Sequence, residues 1–172
     1  MSLKIKIMQK NFIVLIASLF FTACTAQKKT GESEVKIPIP SDIQYLKMHR
    51  SACFGRCPTY SIEVYKNGLV RFTGIKFTQP IGIYEKNMGS VKVQNLFSEF
   101  SVKKVDTCKD VYDLHIADLP GIYYTFEYPN KTKKINNAHF GPQFLKDLAN
   151  EVDSIGQVNG TWKKISDEPL GD

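Results

Sequence analysis

The sequence predicts an α+β fold, with an antiparallel β-sheet built from hairpins and two helices packed on one face. Two observations support this prediction. Runs in which apolar and polar residues alternate come in pairs joined by turn-forming residues, as in hairpins. Each group of such runs is followed by a segment whose apolar residues recur every three or four positions, as on one face of a helix.

The first half of the fold is predicted to contain four strands and one helix. Asn67-Gly68 lies between two alternating runs, and both residues tolerate the positive φ of a type I′ hairpin turn. Ser90 is predicted to cap the helix at its N-terminus. The strands cover residues 43–49, 60–65, 70–72 and 81–84, and the apolar face of the helix carries Val93, Leu96, Phe97 and Phe100.

The second half repeats this order with one hairpin and one helix. The hairpin strands are predicted at residues 122–128 and 132–136, joined by a turn at Pro129-Asn130. Pro142 suits the first turn of the last helix, and Gly156 suits its C-terminal end. The apolar stripe of this helix consists of Leu145, Leu148, Val152 and Ile155.

Residues 1–23 are predicted to be a signal peptide. Lys4, Lys6 and Lys10 form a positive segment without acidic residues, and residues 12–21 form a continuous apolar run. That run is too short to cross the hydrocarbon core of a bilayer, which takes about 20 helical residues. An exported chain is therefore expected.

The end of this segment, Phe-Thr-Ala-Cys at residues 21–24, resembles the lipobox of bacterial lipoproteins. In that class of protein the peptide is cut before the cysteine, which carries diacylglycerol on sulfur and an acyl chain on its amino group. The resemblance implies that Cys24 is lipidated and that the lipid anchor attaches the protein to a membrane. Thr25 is not the aspartate that retains such proteins in the inner membrane of enteric bacteria, which implies an outer-membrane location. The stretch after Cys24 has no acidic cluster, which favours facing the periplasm over surface display.

Composition divides the rest of the chain into a tether, one domain and a tail. Residues 24–41 are polar, contain Gly and Pro and show no periodicity, so they are predicted to be a flexible tether. About 130 residues remain, enough for one core, and we predict a single domain over residues 42–158. Residues 159–172 are predicted to be a frayed tail, with Trp162 able to dock on the domain.

The charge of the mature chain argues against a nucleic-acid partner. Without residues 1–23 it has 20 basic and 17 acidic residues and a net charge of +3. The basic residues are scattered and form no stripe interleaved with aromatic side chains, which nucleic-acid binding would require.

Three cysteines lie beyond Cys24, namely Cys53, Cys57 and Cys108. In an oxidising compartment they are expected to pair, but three cannot all pair within one chain. Proximity and the bend permitted by Gly55 favour Cys53–Cys57, since paired Cα atoms must lie within about 7 Å. Loop-closure entropy favours Cys57–Cys108, at about 4 kcal/mol against about 2 kcal/mol for the local pair. We predict the local pair.

Residues 53–60, Cys-Phe-Gly-Arg-Cys-Pro-Thr-Tyr, resemble the C-F-G-x-C-P-x-Y motif of a family of bacterial lipoproteins known only as a domain of unknown function. Members also carry Asp-Leu-Pro before the second hairpin, as at residues 118–120, and an aromatic-Gly-Pro or aromatic-Gly-Ala stretch before the last helix, as at 140–142. The likeness covers about residues 43–156 and implies the fold without an activity. It marks as motif residues Phe54, Gly55, Pro58, Tyr60, Asp118 and Pro120.

No catalytic residue and no cofactor are predicted. Asp110, Asp113, His115 and Asp118 lie in one loop, but no nucleophile elbow, metal-ligand pair or Gly-rich loop accompanies them, so we interpret the loop as merely polar. The Cys-x-x-x-Cys spacing is one residue longer than that of thioredoxin-like oxidoreductases. It also leads into a strand and not into a helix N-terminus, which favours a structural disulfide.

Two functional hypotheses remain. The first is a non-enzymatic binding or accessory module, for which tyrosines on the outer face of the sheet suit a protein or glycan partner. Tyr123 and Tyr124, as neighbours in a strand, must point to opposite faces. The alternative is a metal or thiol-redox protein that binds copper or zinc. Its ligands would be Cys53 and Cys57 with His115 or His139.

Overall fold

The computed structural model describes residues 40–112 and 118–169, all within one compact unit. Over these residues seven strands form one antiparallel sheet in the order β6-β5-β1-β2-β3-β4-β7, and two α-helices pack against it. The predicted α+β fold is confirmed. The strands are β1 (Tyr45–Arg50), β2 (Thr59–Tyr65), β3 (Leu69–Lys76), β4 (Gly82–Asn87), β5 (Ile122–Tyr128), β6 (Lys131–Ile135) and β7 (Lys163–Ser166). The helices are α1 (Ser90–Val102) and α2 (Gln143–Ile155), and short 3-10 turns lie at Val105–Thr107 and Ala138–Phe140.

The core lies between the two helices and one face of the sheet. Alternate residues of the central strands, such as Leu46 and Val64, are fully buried there. Both predicted helix stripes are buried in the same core. Burial of each large apolar side chain contributes about 1.5–3 kcal/mol, which makes this face the main source of stability.

The β2–β3 hairpin forms where Asn67-Gly68 predicts it, but its turn differs from the predicted type. Among the described residues Gly68 has a positive φ of 99°, whereas Asn67 does not. The Gly68 N–H donates to Tyr65 O at 2.9 Å, and the Leu69 N–H donates to Asn67 Oδ1 at 3.1 Å. This is the three-residue loop with a left-handed glycine, so the type I′ prediction is wrong.

The helix ends agree with the prediction in part. Ser90 is the first residue of α1 and not its cap, because Gly89, with a φ of 84°, occupies the cap position. Pro142 similarly stands just before α2, which begins at Gln143. Gly156 ends α2 as predicted, and its N–H donates to Val152 O.

The C-terminal segment forms part of the sheet, so the predicted frayed tail is wrong over residues 163–166. Strand β7 pairs with β4, with Ile83 opposite Ser166 and Glu85 opposite Lys163. Trp162, 8% exposed, docks in the core just before the strand. The four residues of β7 include one apolar residue, so the sequence shows no alternation there. With this strand the domain extends beyond residue 158.

The direction of strand β1 defines two opposite ends of the sheet. The chain enters β1 at Tyr45 at one end and leaves it at Arg50 at the other, where β2 begins. We call the latter the disulfide end. Six residues at about 3.3 Å each separate the two ends by about 20 Å. Within the described ranges no helix has the length and apolar content needed to cross a membrane.

Candidate functional site

The loop between β1 and β2, residues 51–58, is closed by a disulfide between Cys53 and Cys57, with Cα atoms 5.6 Å apart. The prediction of the local pair is therefore confirmed, and Cys108 is a free, partly buried thiol. The chain bends at residues 54–56. Gly55 has no positive φ there, and a Cβ would approach the Cys53 sulfur no closer than 3.9 Å. The bend therefore does not require glycine.

A second loop, residues 118–121, packs against the disulfide loop. The Phe54 N–H donates to Asp118 O at 3.4 Å. Ser51 and Gly121 exchange two hydrogen bonds, from Ser51 N–H to Gly121 O at 3.1 Å and from Gly121 N–H to Ser51 Oγ at 2.8 Å. The structure thus brings together the two parts of the motif, with Pro120 inside the second loop.

Large apolar side chains are exposed at the disulfide end. Phe54 is 88% exposed, and Leu119 on the neighbouring loop is 47% exposed. Phe77 and Ile81, both in the β3–β4 loop, are exposed at the same end. We call these four side chains the disulfide-end surface. Large apolar side chains exposed at one end of a domain are candidates for a protein-interaction site.

Two cations border this surface. The Arg56 guanidinium carbon lies 5.6 Å from the centre of the Phe77 ring, and the Lys76 ammonium nitrogen lies 4.9 Å from it. Both side chains belong to exposed residues, and neither forms an ion pair with a carboxylate of the described residues. The edge of the surface beside Phe77 is therefore positively charged.

A groove opens beside the same loops on the helix side of the sheet. Its volume is about 390 Å³. The ring of Tyr60 packs on that of Phe72, with centroids 5.5 Å apart. Thr78, Gln79 and Gln157 add uncharged polar groups, and Pro58, from the motif, also lines the groove. Two motif residues thus form part of this groove.

Asp153, which lines the groove, forms a charge pair with Arg50. The Tyr60 hydroxyl donates to Asp153 Oδ1 at 2.7 Å, and Arg50 Nε donates to Asp153 Oδ2 at 3.0 Å. Burial raises the pKa of Tyr60, and the hydrogen bond to the carboxylate raises it further. Neither Arg50 nor Asp153 was identified from the sequence, because a lone arginine at a strand end and an acid on a helix carry no motif.

The tyrosines divide between the two faces as predicted. Tyr124 is 1% exposed, and its hydroxyl donates to Leu145 O inside the core. Tyr123 lies on the open face, where its ring is 6.1 Å from that of His49. On that face Tyr45 donates to Glu63 Oε1 at 2.6 Å, so its hydroxyl is already engaged within the sheet.

The other candidate residues do not assemble into a site. Asp110 pairs with Lys133, and the His139 ring packs on Phe140 at 5.2 Å. Across residues 40–112 and 118–169 no three His, Cys, Asp or Glu side chains lie close enough to hold a metal ion. In the disulfide neither sulfur is a thiolate, so the proposed metal site could form only after reduction. Cys24, Asp113 and His115 lie outside the described residues.

These features define an α+β domain with a disulfide-closed loop that exposes an aromatic side chain beside a polar groove. The chain belongs to the family described as Domain of unknown function (DUF6438), whose model matches residues 44–156. That range runs from β1 to the end of α2 and includes both parts of the motif. No curated protein matches the chain.

Proposed function

We propose that this protein is a non-enzymatic binding module of the bacterial cell envelope, held by lipids on Cys24 in the outer membrane and facing the periplasm. The positive segment, the short apolar run and the lipobox-like residues 21–24 support the anchor. Several acyl chains together hold a protein to a bilayer far more firmly than one. Its partner is a protein, bound at the disulfide-end surface.

The exposed Phe54 is the observation that carries the binding function. An aromatic side chain that is 88% exposed contributes little to the core. The disulfide and the hydrogen bond to Asp118 fix its loop, so little conformational entropy is lost when a partner covers it. Preorganised aromatic side chains are the usual centres of binding energy in protein interfaces.

The anchor is tested by replacing Cys24 with serine in the producing cell. We expect the unmodified protein to be recovered with the membranes and to dissolve only in detergent, and Cys24→Ser to be recovered in the soluble periplasmic fraction. Mass spectrometry of the N-terminal peptide should show the acyl chains. Recovery of Cys24→Ser with the membranes would contradict lipid anchoring.

The binding surface is tested by placing the photo-crosslinking residue p-benzoylphenylalanine at position 54 in living cells. Val91, an apolar residue of α1 that is 70% exposed, is the matched control position. We expect one discrete adduct from position 54, weakened by Phe77→Ser, and no adduct from position 91. Equal crosslinking from both positions, or none from position 54, would refute the binding surface.

A further inference from the structure

The groove beside the disulfide loop is suited to an uncharged portion of a ligand. Its charged lining residue, Asp153, already pairs with Arg50, and the Tyr60 hydroxyl also donates to Asp153. The hydrogen-bonding groups that remain in the lining are therefore uncharged. They are the side-chain amides of Gln79 and Gln157 and the hydroxyl of Thr78. An ionic group placed in the groove would lose its hydration without gaining an unpaired counter-charge.

The chemistry of the lining matches a peptide backbone. A glutamine carboxamide offers two N–H donors and one carbonyl acceptor, which complement the C=O and N–H of an extended peptide. Pro58 and the adjacent rings of Tyr60 and Phe72 supply an apolar wall for one side chain. Grooves lined by apolar and aromatic residues with a few polar groups are a recurring form of peptide recognition.

The segments that line the groove lead directly to the cations and aromatic residues of the disulfide end. Thr78 comes directly after Lys76 and Phe77, and Pro58 comes after Arg56 with one cysteine between them. A chain leaving the groove over these loops would meet a positive, partly apolar surface. Charge complementarity therefore favours acidic residues in that part of the ligand.

We infer that the groove binds an extended peptide segment of the partner protein, with an apolar side chain against Tyr60 and Phe72 and an acidic residue facing Arg56 and Lys76. This inference rests on the proposed binding function and adds the chemistry of the partner. A glycan also offers hydroxyl groups to the glutamines. It has no large apolar side chain to cover Phe54 and Phe77, so the peptide is favoured.

The test uses the full-length protein in detergent and a phage-displayed library of random twelve-residue peptides. We expect selection to enrich peptides with an aromatic or aliphatic residue followed by Asp or Glu. The dissociation constant of the enriched peptide should rise about tenfold in Gln157→Leu and again in Lys76→Glu. The matched control, Gln143→Leu at the start of α2 and away from the groove, should bind as the unmodified protein does.

The contrary outcomes separate this inference from the proposed function. Peptides that tolerate Gln157→Leu but lose binding in Phe54→Ser would overturn the groove and leave the binding surface in place. Enrichment of basic peptides, or Gln157-dependent binding of chitotetraose in place of peptides, would also overturn it. Failure of the proposed function itself would appear as a missing crosslink at position 54.

Discussion

The contact of Asp153 with Tyr60 and Arg50 is predicted to join helix α2 to the sheet energetically. We expect Tyr60→Phe to lower the free energy of unfolding because it removes one hydrogen bond to a carboxylate while keeping the ring on Phe72. We expect Asp153→Asn to lower it further because Arg50 then loses its counter-charge. The two effects should not add, since both remove the same interaction.

The magnitudes depend on exposure. A hydrogen bond to a charged group contributes about 1.5–3 kcal/mol when it is shielded from solvent. The Asp153 side chain is 28% exposed, so the lower value of about 1.5 kcal/mol applies to Tyr60→Phe. Asp153→Asn should cost about 2–3 kcal/mol, below the range for fully buried ion pairs. The coupling energy between the two substitutions should then be about 1 kcal/mol.

The assay is urea unfolding followed by the fluorescence of Trp162, the one tryptophan of the chain, which is docked in the core. The free energies of unfolding of the unmodified protein, the two single variants and the double variant together form a double-mutant cycle, which gives the coupling energy. Tyr65→Phe, on the opposite face of the sheet, is the matched control and should be additive with Asp153→Asn. A coupling energy indistinguishable from that control would refute the reasoning.

Three further predictions concern stability. Replacing Cys53 and Cys57 together by alanine should lower the free energy of unfolding by about 2 kcal/mol, measured in urea, because the unfolded chain regains the entropy of a short loop. Gly156→Ala should cost about 1–3 kcal/mol, because its Cβ would lie 2.3 Å from a buried isoleucine of β2, whereas Gly160→Ala meets no atom within 4 Å and should cost much less. Burial raises the pKa of Tyr124, so stability should be full below pH 10 and fall as the pH rises above it. In Tyr124→Phe the free energy of unfolding should fall less steeply above pH 10, by about 1.4 kcal/mol per pH unit. Urea titrations from pH 9 to 11 measure this slope.

Each of these has an outcome that would contradict it. An unchanged urea midpoint without the two cysteines would mean that the loop is equally ordered in the unfolded chain or unimportant to the fold. Equal losses from the two glycine substitutions would mean that the close contact with the isoleucine does not determine the cost. An unchanged alkaline slope in Tyr124→Phe would mean that other groups cause the alkaline loss of stability.

The central strands and both helices were predictable because each has a periodic apolar face. Period-two alternation in β2 and β5 and the stripe of α2 fixed both the element and the face it buries. Strand β7 could not be found this way, because its four residues are held by pairing with β4 and by Trp162. That pairing joins residues about 80 positions apart, and local patterns do not report it.

The candidate site was predictable in its parts and not in its assembly. The motif identified Phe54, Tyr60 and Asp118, and the spacing of the cysteines indicated the disulfide. The hydrogen bond from Phe54 to Asp118 and the position of Asp153 depend on how the sheet and α2 pack. The groove can therefore be identified only from the tertiary structure.

The lysines on the outermost strands bear on how copies of the protein meet. β6 has three lysines and β7 has two. Unpaired backbone groups at a sheet edge invite another chain to add on, and lysine is a common safeguard against this. Lys131, Lys133 and Lys164 are bridged to aspartates, but Lys134 and Lys163 form no ion pair within the described ranges. The edge strands of two copies would bring positive charge against positive charge. A concentrated solution of this protein should therefore resist edge-to-edge sheet growth until concentrated salt shortens the Debye length to about 3 Å.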